Sequence, residues 1–449
     1  MRLVPAYSDF INERFDRCLD LYLCPRTRRK RLDVNPEDLK PRLPDPSELR
    51  PFPTTLSVVY RGHTGAVRCL AAHPAGQWLA TGGDDGSVRL WEVMTGRCVR
   101  VWRVGNDAGD AAEGDGEAGG GVVAIAWCPR RDEYVLCACS GYSLFILEAS
   151  AGAGDDSDEE VDGTDDEDAG AGGCRRRAKR ILEDALEAAA TTAADQNGDK
   201  AEADEEEMSA ATGKKLVQWS RWRGADGSTG IRVRHKFRLR DVAWHYRGDY
   251  FSTVCPEGNT ASVLVHQLSK AASQCPFKKL KGRVVRTLFH PSKPIFFVAT
   301  RYHIRVYHLQ RQALMKKLQP NMNGITRIAV HPGGDNIISC SSDARTAWLD
   351  MDLSTKPYKS LRHHSACVHA ASFHRSLPLF ATAGDDGNVH VFHGMVYADL
   401  LQNALIVPVK ILRGHEVVDS EGIFDVCFHP QQPWVFSAGA DATARLYYN

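Results

Sequence analysis

Seven times along the chain, a short run in which apolar residues alternate with polar or small ones closes on His-Pro or a variant of it. These runs are VRCLAAHP, VVAIAWCP, RDVAWHY, VVRTLFHP, ITRIAVHP, VHAASFH and FDVCFHP, and their closing residues are His73, Cys128, His245, His290, His331, His374 and His429. Each is followed by a turn and a more continuously apolar or small-residue stretch: QWLATGG, EYVLCAC, DYFSTVC, PIFFVAT, NIISCSS, PLFATAG and PWVFSAG. A period of two places alternate side chains on opposite faces of an extended backbone, so each pair of runs predicts two neighbouring strands. The intervals are 55, 117, 45, 41, 43 and 55 residues. Short strands recurring at this spacing predict an all-β fold built from seven copies of one sheet unit arranged radially.

The first unit, 61–102, is the most complete, with Arg61-Gly62-His63, Thr81, Asp85 and Trp91-Glu92. It resembles the WD repeat, whose unit is one four-stranded blade of a β-propeller. In that family a hydrogen-bond relay runs from His through Asp and Ser or Thr to Trp, which here implies His63, Asp85, Thr81 and Trp91. The sixth unit keeps His364, Thr382 and Asp386 but has Phe392 for the Trp; the seventh keeps His415, Ser437 and Asp441 with Tyr447 in that place. The fifth has Ser339 and Asp343, and the third and fourth lack most of the set. A hydrolase would carry its nucleophile once, whereas this set recurs at blade spacing, so it is read as architecture. The chain stops at ARLYYN, one strand short of a blade, and residues 55–60 (LSVVY within them) are expected to supply the missing outer strand and close the ring.

Outside the propeller, assigned to 55–449, residues 1–54 read as a helical and extended arm. Tyr7, Ile11, Phe15, Cys18 and Tyr22 fall on one helical stripe within 4–24, with Ser8 as a cap and Pro25 as a stop. That stripe calls for a cover, either the propeller's rim or another protein. RTRRKR (26–31) and a proline-punctuated run follow, expected to lie extended. The long interval holds DDSDEEVDGTDDED, CRRRAKR, ILEDALEAAA and EADEEE, and 151–227 is expected to be a disordered acidic insert between blades 2 and 3. Ser157 and Thr164, with acids downstream, are candidate phosphorylation sites, and Arg175 to Arg180, like 26–31, is a candidate nuclear import signal.

Composition changes this picture in one respect. The 449 residues balance 56 Lys and Arg against 56 Asp and Glu. Residues 151–210, however, hold twenty of the acids and six of the bases, which leaves the rest of the chain fourteen charges positive. Thirteen cysteines are scattered singly apart from Cys137-x-Cys139, too few in any one place to hold zinc, so no metal or cofactor is expected. No apolar run nears the roughly 18 residues of a membrane span, and Met1 opens no secretory segment, so a soluble intracellular protein is expected. Nothing in the sequence supports an enzyme: there is no unique nucleophile and no phosphate-cradling glycine loop, and GDDG at 83–86 and 384–387 marks blade turns.

The stretch CPFKKLKGRVVRTLFHPSKP (275–294) carries Lys278, Lys279, Lys281, Arg283, Arg286 and Lys293 without an acid. It is either a surface for a polyanion or an exposed strand whose lysines discourage edge pairing. With VPAYSDFINERFDRCLDLYLCPRTRRKR, the run from DVNPEDLKPRLPDP to MTGRCVR, and ADLLQNALIVPVKILRGH, this stretch resembles the block-of-proliferation family of ribosome-biogenesis proteins over nearly the whole chain. The resemblance implies a non-catalytic nucleolar assembly factor, present in nucleus, nucleolus and nucleoplasm. It implies a complex with a pescadillo-type protein and a second WD-repeat propeller carrying a ubiquitin-like domain, acting in maturation of the large-subunit (25S/28S and 5.8S) rRNAs and assembly of the 60S pre-ribosome. RNA contact is then expected at the basic strand above and at Arg28, Arg29, Lys30 and Arg31, through the phosphate backbone. The partner propeller is expected on blade 1 and its return strand, at Arg61, Arg68, Arg89, Arg97, Arg100 and Arg103. Family members have a long region before the segment seen here, associated with the pescadillo contact, so the chain is expected to be a fragment or a truncated gene product. The rival class is a generic WD adaptor, a ubiquitin-ligase receptor or signalling scaffold.

Overall fold

The computed structural model describes residues 9–24, 45, 47, 49–104, 120–149, 178, 180–187, 216–224, 227–277, 280–397 and 404–449. They fall into two compact units, Met1–Glu48 and Leu49–Asn449. In the first, a helix spans Phe10–Leu23, preceded by Asp9 and with every residue exposed. Ile11, Phe15, Cys18 and Tyr22 of the expected stripe lie on it; Tyr7 and Ser8 are outside the described residues.

The second unit is a seven-bladed β-propeller. Seven antiparallel sheets are built in sequence order, their first strands being Val67–Ala72, Val122–Trp127, Asp241–Trp244, Val284–Phe289, Ile325–Val330, Val368–Phe373 and Ile423–Phe428. Each first strand neighbours the first strand of the next blade, and the seventh neighbours the first, so they enclose a central channel. The second strands explain the more continuous apolar stretches. Val135–Ser140, Ile295–Thr300, Asn336–Ser341 and Leu379–Gly384 are buried at every residue, since both faces are covered by adjoining blades. The core is therefore inter-blade: Leu90 and Trp102 of blade 1 pack with Trp127, Phe145 and Leu147 of blade 2. The same construction closes the ring, where Tyr60, Leu79 and Trp91 pack with Phe436 and Leu446.

Thr55–Arg61 pairs antiparallel with Thr443–Tyr448 as the outer strand of blade 7, from Thr55 opposite Tyr448 to Arg61 opposite Thr443. The ring is thus tied by its two ends. No helix among the described residues is long and apolar enough to cross a membrane.

The acidic segment differs from expectation in place and order. It interrupts blade 2 itself: the chain leaves after Ser143–Glu148 and returns as Thr229–His235, which pairs with that strand as the blade's fourth. Val217–Arg223, expected to be disordered, adds a fifth strand outside it. Residues 180–187 are helical, and Ala178, Leu182 and Ala185 of that segment are buried in the cluster that holds Cys137, Ile146 and Ile231. The physical reason is local. Ala178, Leu182 and Ala185 recur at the i, i+4, i+7 spacing of one helical face, and TGIRVRH alternates with a period of two, so these short pieces bury apolar surface despite their charged surroundings.

Candidate functional site

Three blades carry the His–Asp–hydroxyl set as a continuous relay. In blade 1, His63 donates from Nδ1 to the Asp85 carboxylate at 3.1 Å and accepts at Nε2 from the Thr81 hydroxyl at 2.8 Å. Thr81 Oγ1 in turn accepts the Trp91 indole N–H at 2.8 Å. His364 repeats this with Asp386 at 2.9 Å and Thr382 at 2.8 Å, and His415 with Asp441 at 3.0 Å and Ser437 at 2.6 Å. A carboxylate acceptor fixes the proton on Nδ1 and leaves Nε2 as the acceptor, so each histidine is neutral. Burial lowers the pKa of all three, against the opposing pull of their aspartates. Burial, the largest single influence, would raise Asp386 and Asp441, but the hydrogen bonds and charges around them, from His364 and His390 on the first and from His415, Thr443 and Arg445 on the second, together outweigh it and hold both well below the usual carboxylate range. The hydroxyls are buried and each is engaged with its histidine, so none is presented to a substrate.

Blade 3 contains a relay of another kind, which the repeat pattern did not reveal. Thr253 bonds His266 Nε2 at 2.8 Å, His266 Nδ1 bonds Ser273 at 2.8 Å, and Trp219 donates to Ser273 at 3.0 Å. Trp219 belongs to the added strand of blade 2, so this relay joins two blades.

The recurring His-Pro has a bonding role as well. His374 and His429 each accept backbone N–H groups of the following turn at Nδ1, which leaves Nε2–H to donate across to the next blade. His374 reaches the Gln432 carbonyl at 3.0 Å and His429 the Gly76 carbonyl at 2.9 Å, the latter across the closure.

The basic strand does not form one surface. Lys278 and Lys279 lie outside the described residues, as do Arg28, Arg29, Lys30, Arg31, Ser157 and Thr164. Lys281 and Arg283 are exposed just before the first strand of blade 4. Arg286 points into the channel, where its side chain faces Asp241 at 3.4 Å and burial, then Arg327, lowers its pKa to about 10. Lys293 sits beyond the other end of that strand, paired with Asp335 at 2.9 Å. The six candidate partner arginines disperse similarly. Arg61 ends the closing strand, Arg97 lies in the turn before the outer strand of blade 1, and Arg100 and Arg103 lie on that strand, whereas Arg89 is half-buried on the third strand. Arg68 lies in the channel mouth, against Asp84 at 2.9 Å, Glu421 at 3.3 Å and the Phe424 ring at 4.2 Å.

The channel itself is the charged site that sequence reading missed. In six blades the first strand shifts register at its second residue, a bulge that re-aims one side chain. Arg68, Val123, Val285, Thr326, His369 and Phe424 occupy those positions and, with Arg240 of blade 3, line a common cavity. One residue further along, the buried Asp241 and Asp425 and the half-buried Arg286 and Arg327 make a charged layer, with Arg327 and Asp425 at 2.7 Å. Asp425 also accepts the Leu70 N–H at 3.2 Å, binding blade 7 to blade 1. The sequence held one signal for this layer: each of the four stands four residues before the closing histidine of its unit.

Two groups among the described residues have metal-compatible donors, His364–Asp386–His390 and Cys367–His369–Asp385. The first is the blade 6 relay. In the second, His369 meets Asp385 at 2.8 Å as Arg68 meets Asp84 in blade 1, so it repeats a structural pair.

Comparison with known proteins adds family to geometry. Residues 1–53 match the BOP1NT (NUC169) domain, and 54–92, 355–393 and 406–447 match the WD domain, G-beta repeat. The three WD matches fall on the blades that carry the full His–Asp–hydroxyl set. Over 452 residues the chain is 50% identical to a protein of Chlamydomonas reinhardtii named ribosome biogenesis protein BOP1 homolog, covering 100% of this chain and 50% of that one. It is 47% identical over 449 residues to ribosome biogenesis protein bop1-A of Xenopus laevis, covering 100% and 54%, and 45% over 452 residues to ribosome biogenesis protein BOP1 of Homo sapiens, covering 100% and 53%. The chain spans about half the length of the curated relatives it matches.

Proposed function

We propose that the chain, similar along its whole length to ribosome biogenesis proteins of the block-of-proliferation family, belongs to that family and acts in ribosome biogenesis as a non-catalytic assembly factor. The observation that carries this reading is identity at 45–50% along the whole chain, arm and propeller together, to proteins named for that role. The structure supports the non-catalytic part. The hydroxyl, imidazole and carboxylate sets that would make a hydrolase are buried, mutually bonded and repeated in three blades. What remains for function is surface, and a propeller is a rigid frame for binding.

In finer terms, the proposal is a nucleolar scaffold in a complex with a pescadillo-type protein and a second propeller protein, needed for maturation of large-subunit rRNA in the 60S precursor. Contact with precursor rRNA would be made through phosphates, by Lys278, Lys279, Lys281 and the arm cluster Arg28 to Arg31, since Arg286 and Lys293 are already paired within the propeller. Depletion of the protein, followed by analysis of precursor rRNA, tests this. Accumulation of large-subunit precursors with small-subunit rRNA unchanged is expected; unaltered processing of both would favour a generic WD adaptor.

A further inference from the structure

The cavity at the channel mouth, of about 570 Å³, is lined by six arginines against four carboxylates, and the carboxylates are unevenly shared. Arg68 has Asp84 and Glu421, Arg286 has Asp241, and Arg327 has Asp425 beneath it. Arg238, Arg240 and Arg283, on the segments entering blades 3 and 4, are exposed and have no ion-pair partner among the described residues. The lining acid left over is Glu257, also without an ion pair. A second opening of about 330 Å³, flanked by Pro256 and Leu280, shares Pro256, Glu257 and Arg283 with the first. A groove between blades 3 and 4 therefore runs into the mouth at the unpaired arginines.

We propose that this groove binds an acidic peptide, holding one aspartate or glutamate carboxylate among Arg238, Arg240 and Arg283 while neighbouring residues lie along Pro256 and Leu280. The guanidinium fork matches a carboxylate in two parallel hydrogen bonds, and one anionic group suffices to engage the trio. A nucleic-acid strand fits the mouth less well. Its closely spaced phosphates would bring successive charges past Glu257, Asp84 and Glu421, and the groove offers Pro256 and Leu280 as apolar contacts without a run of aromatic faces for bases. Isolated exposed pairs are weak, so affinity rests on three arginines lining one mouth and on the contacts with Pro256 and Leu280. The inference does not depend on the proposed role in ribosome biogenesis.

The test is fluorescence anisotropy of the full chain with a labelled peptide of glutamate interspersed with leucine and serine, and with its glutamine counterpart, at physiological salt. The glutamate peptide is expected to bind at least about tenfold more tightly, and Arg240→Gln with Arg283→Gln to remove about that factor. Arg375→Gln, exposed in the turn after the first strand of blade 6, is expected to change nothing, and unchanged melting of each variant shows that folding is not the cause. Failure of the glutamate peptide to bind, equal binding of both peptides, or indifference to the double substitution would overturn the proposal. So would a single-stranded RNA oligonucleotide that binds through Arg240 and Arg283 and that the acidic peptide does not displace.

Discussion

At the scale of residues, the propeller depends on buried groups whose hydrogen bonds are already made. Thr81 is the clearest case, because one oxygen serves both His63 and Trp91 at 2.8 Å. Thr81→Val keeps the shape and removes both bonds, leaving two buried nitrogens without partners. The expected loss is roughly 2 to 4 kcal/mol, read as a lower urea midpoint with an unchanged slope. The histidines make a second prediction. Burial lowers His73 and His235 from 6.5 to about 4. Below 6.5 the unfolded chain therefore binds more protons than the folded one, so stability is complete above that pH and falls as pH drops toward 4. His73 alone accounts for on the order of 3 kcal/mol of this. Urea midpoints at about pH 7.5 and about pH 5 should differ clearly, the acid one being lower; equal midpoints would contradict neutral burial. The blade 1, 6 and 7 relays were legible in the sequence because their partners lie 18 to 26 residues apart. The Thr253–His266–Ser273–Trp219 relay was not, because Trp219 reaches it from another blade across 54 residues.

At the scale of elements, the closing strand matters most. Thr55–Arg61 meets its partner across almost the full chain, and Tyr60 is buried between blades 7 and 1 with its hydroxyl donating to the Val93 carbonyl at 2.7 Å. Deleting residues 55–60 exposes the edge of Thr443–Tyr448 and removes this packing, so the melting transition should broaden and fall well below that of the full chain, by circular dichroism. A truncated chain melting like the intact one would show that the join contributes little. The number of blades and the order of their first two strands were legible because period and turn chemistry are local. The fourth strand of blade 2 was not: the acidic segment separates it from its partner by some eighty residues, and its composition hides the alternation of Ile231 and Val233. Nor was the bulge that turns Arg68 and His369 into the channel, since a register shift shows only once two strands are paired.

At the scale of the whole molecule, charge is sorted by position. The basic excess read from the sequence is real as a count, but part of it is internal, in the Arg286 and Arg327 layer of the channel. That assembly needs seven strands brought together, which no single repeat encodes. The exposed remainder, with the likeness to proteins named for ribosome biogenesis, supports the proposed reading of a binding scaffold. Sedimentation tests this most directly: the tagged chain from a nuclear extract is run on a sucrose gradient, and the co-purifying RNA is sequenced. The account predicts recovery in the fractions of large-subunit precursors, with their rRNA attached. Recovery only at the top of the gradient, free of RNA, would contradict it.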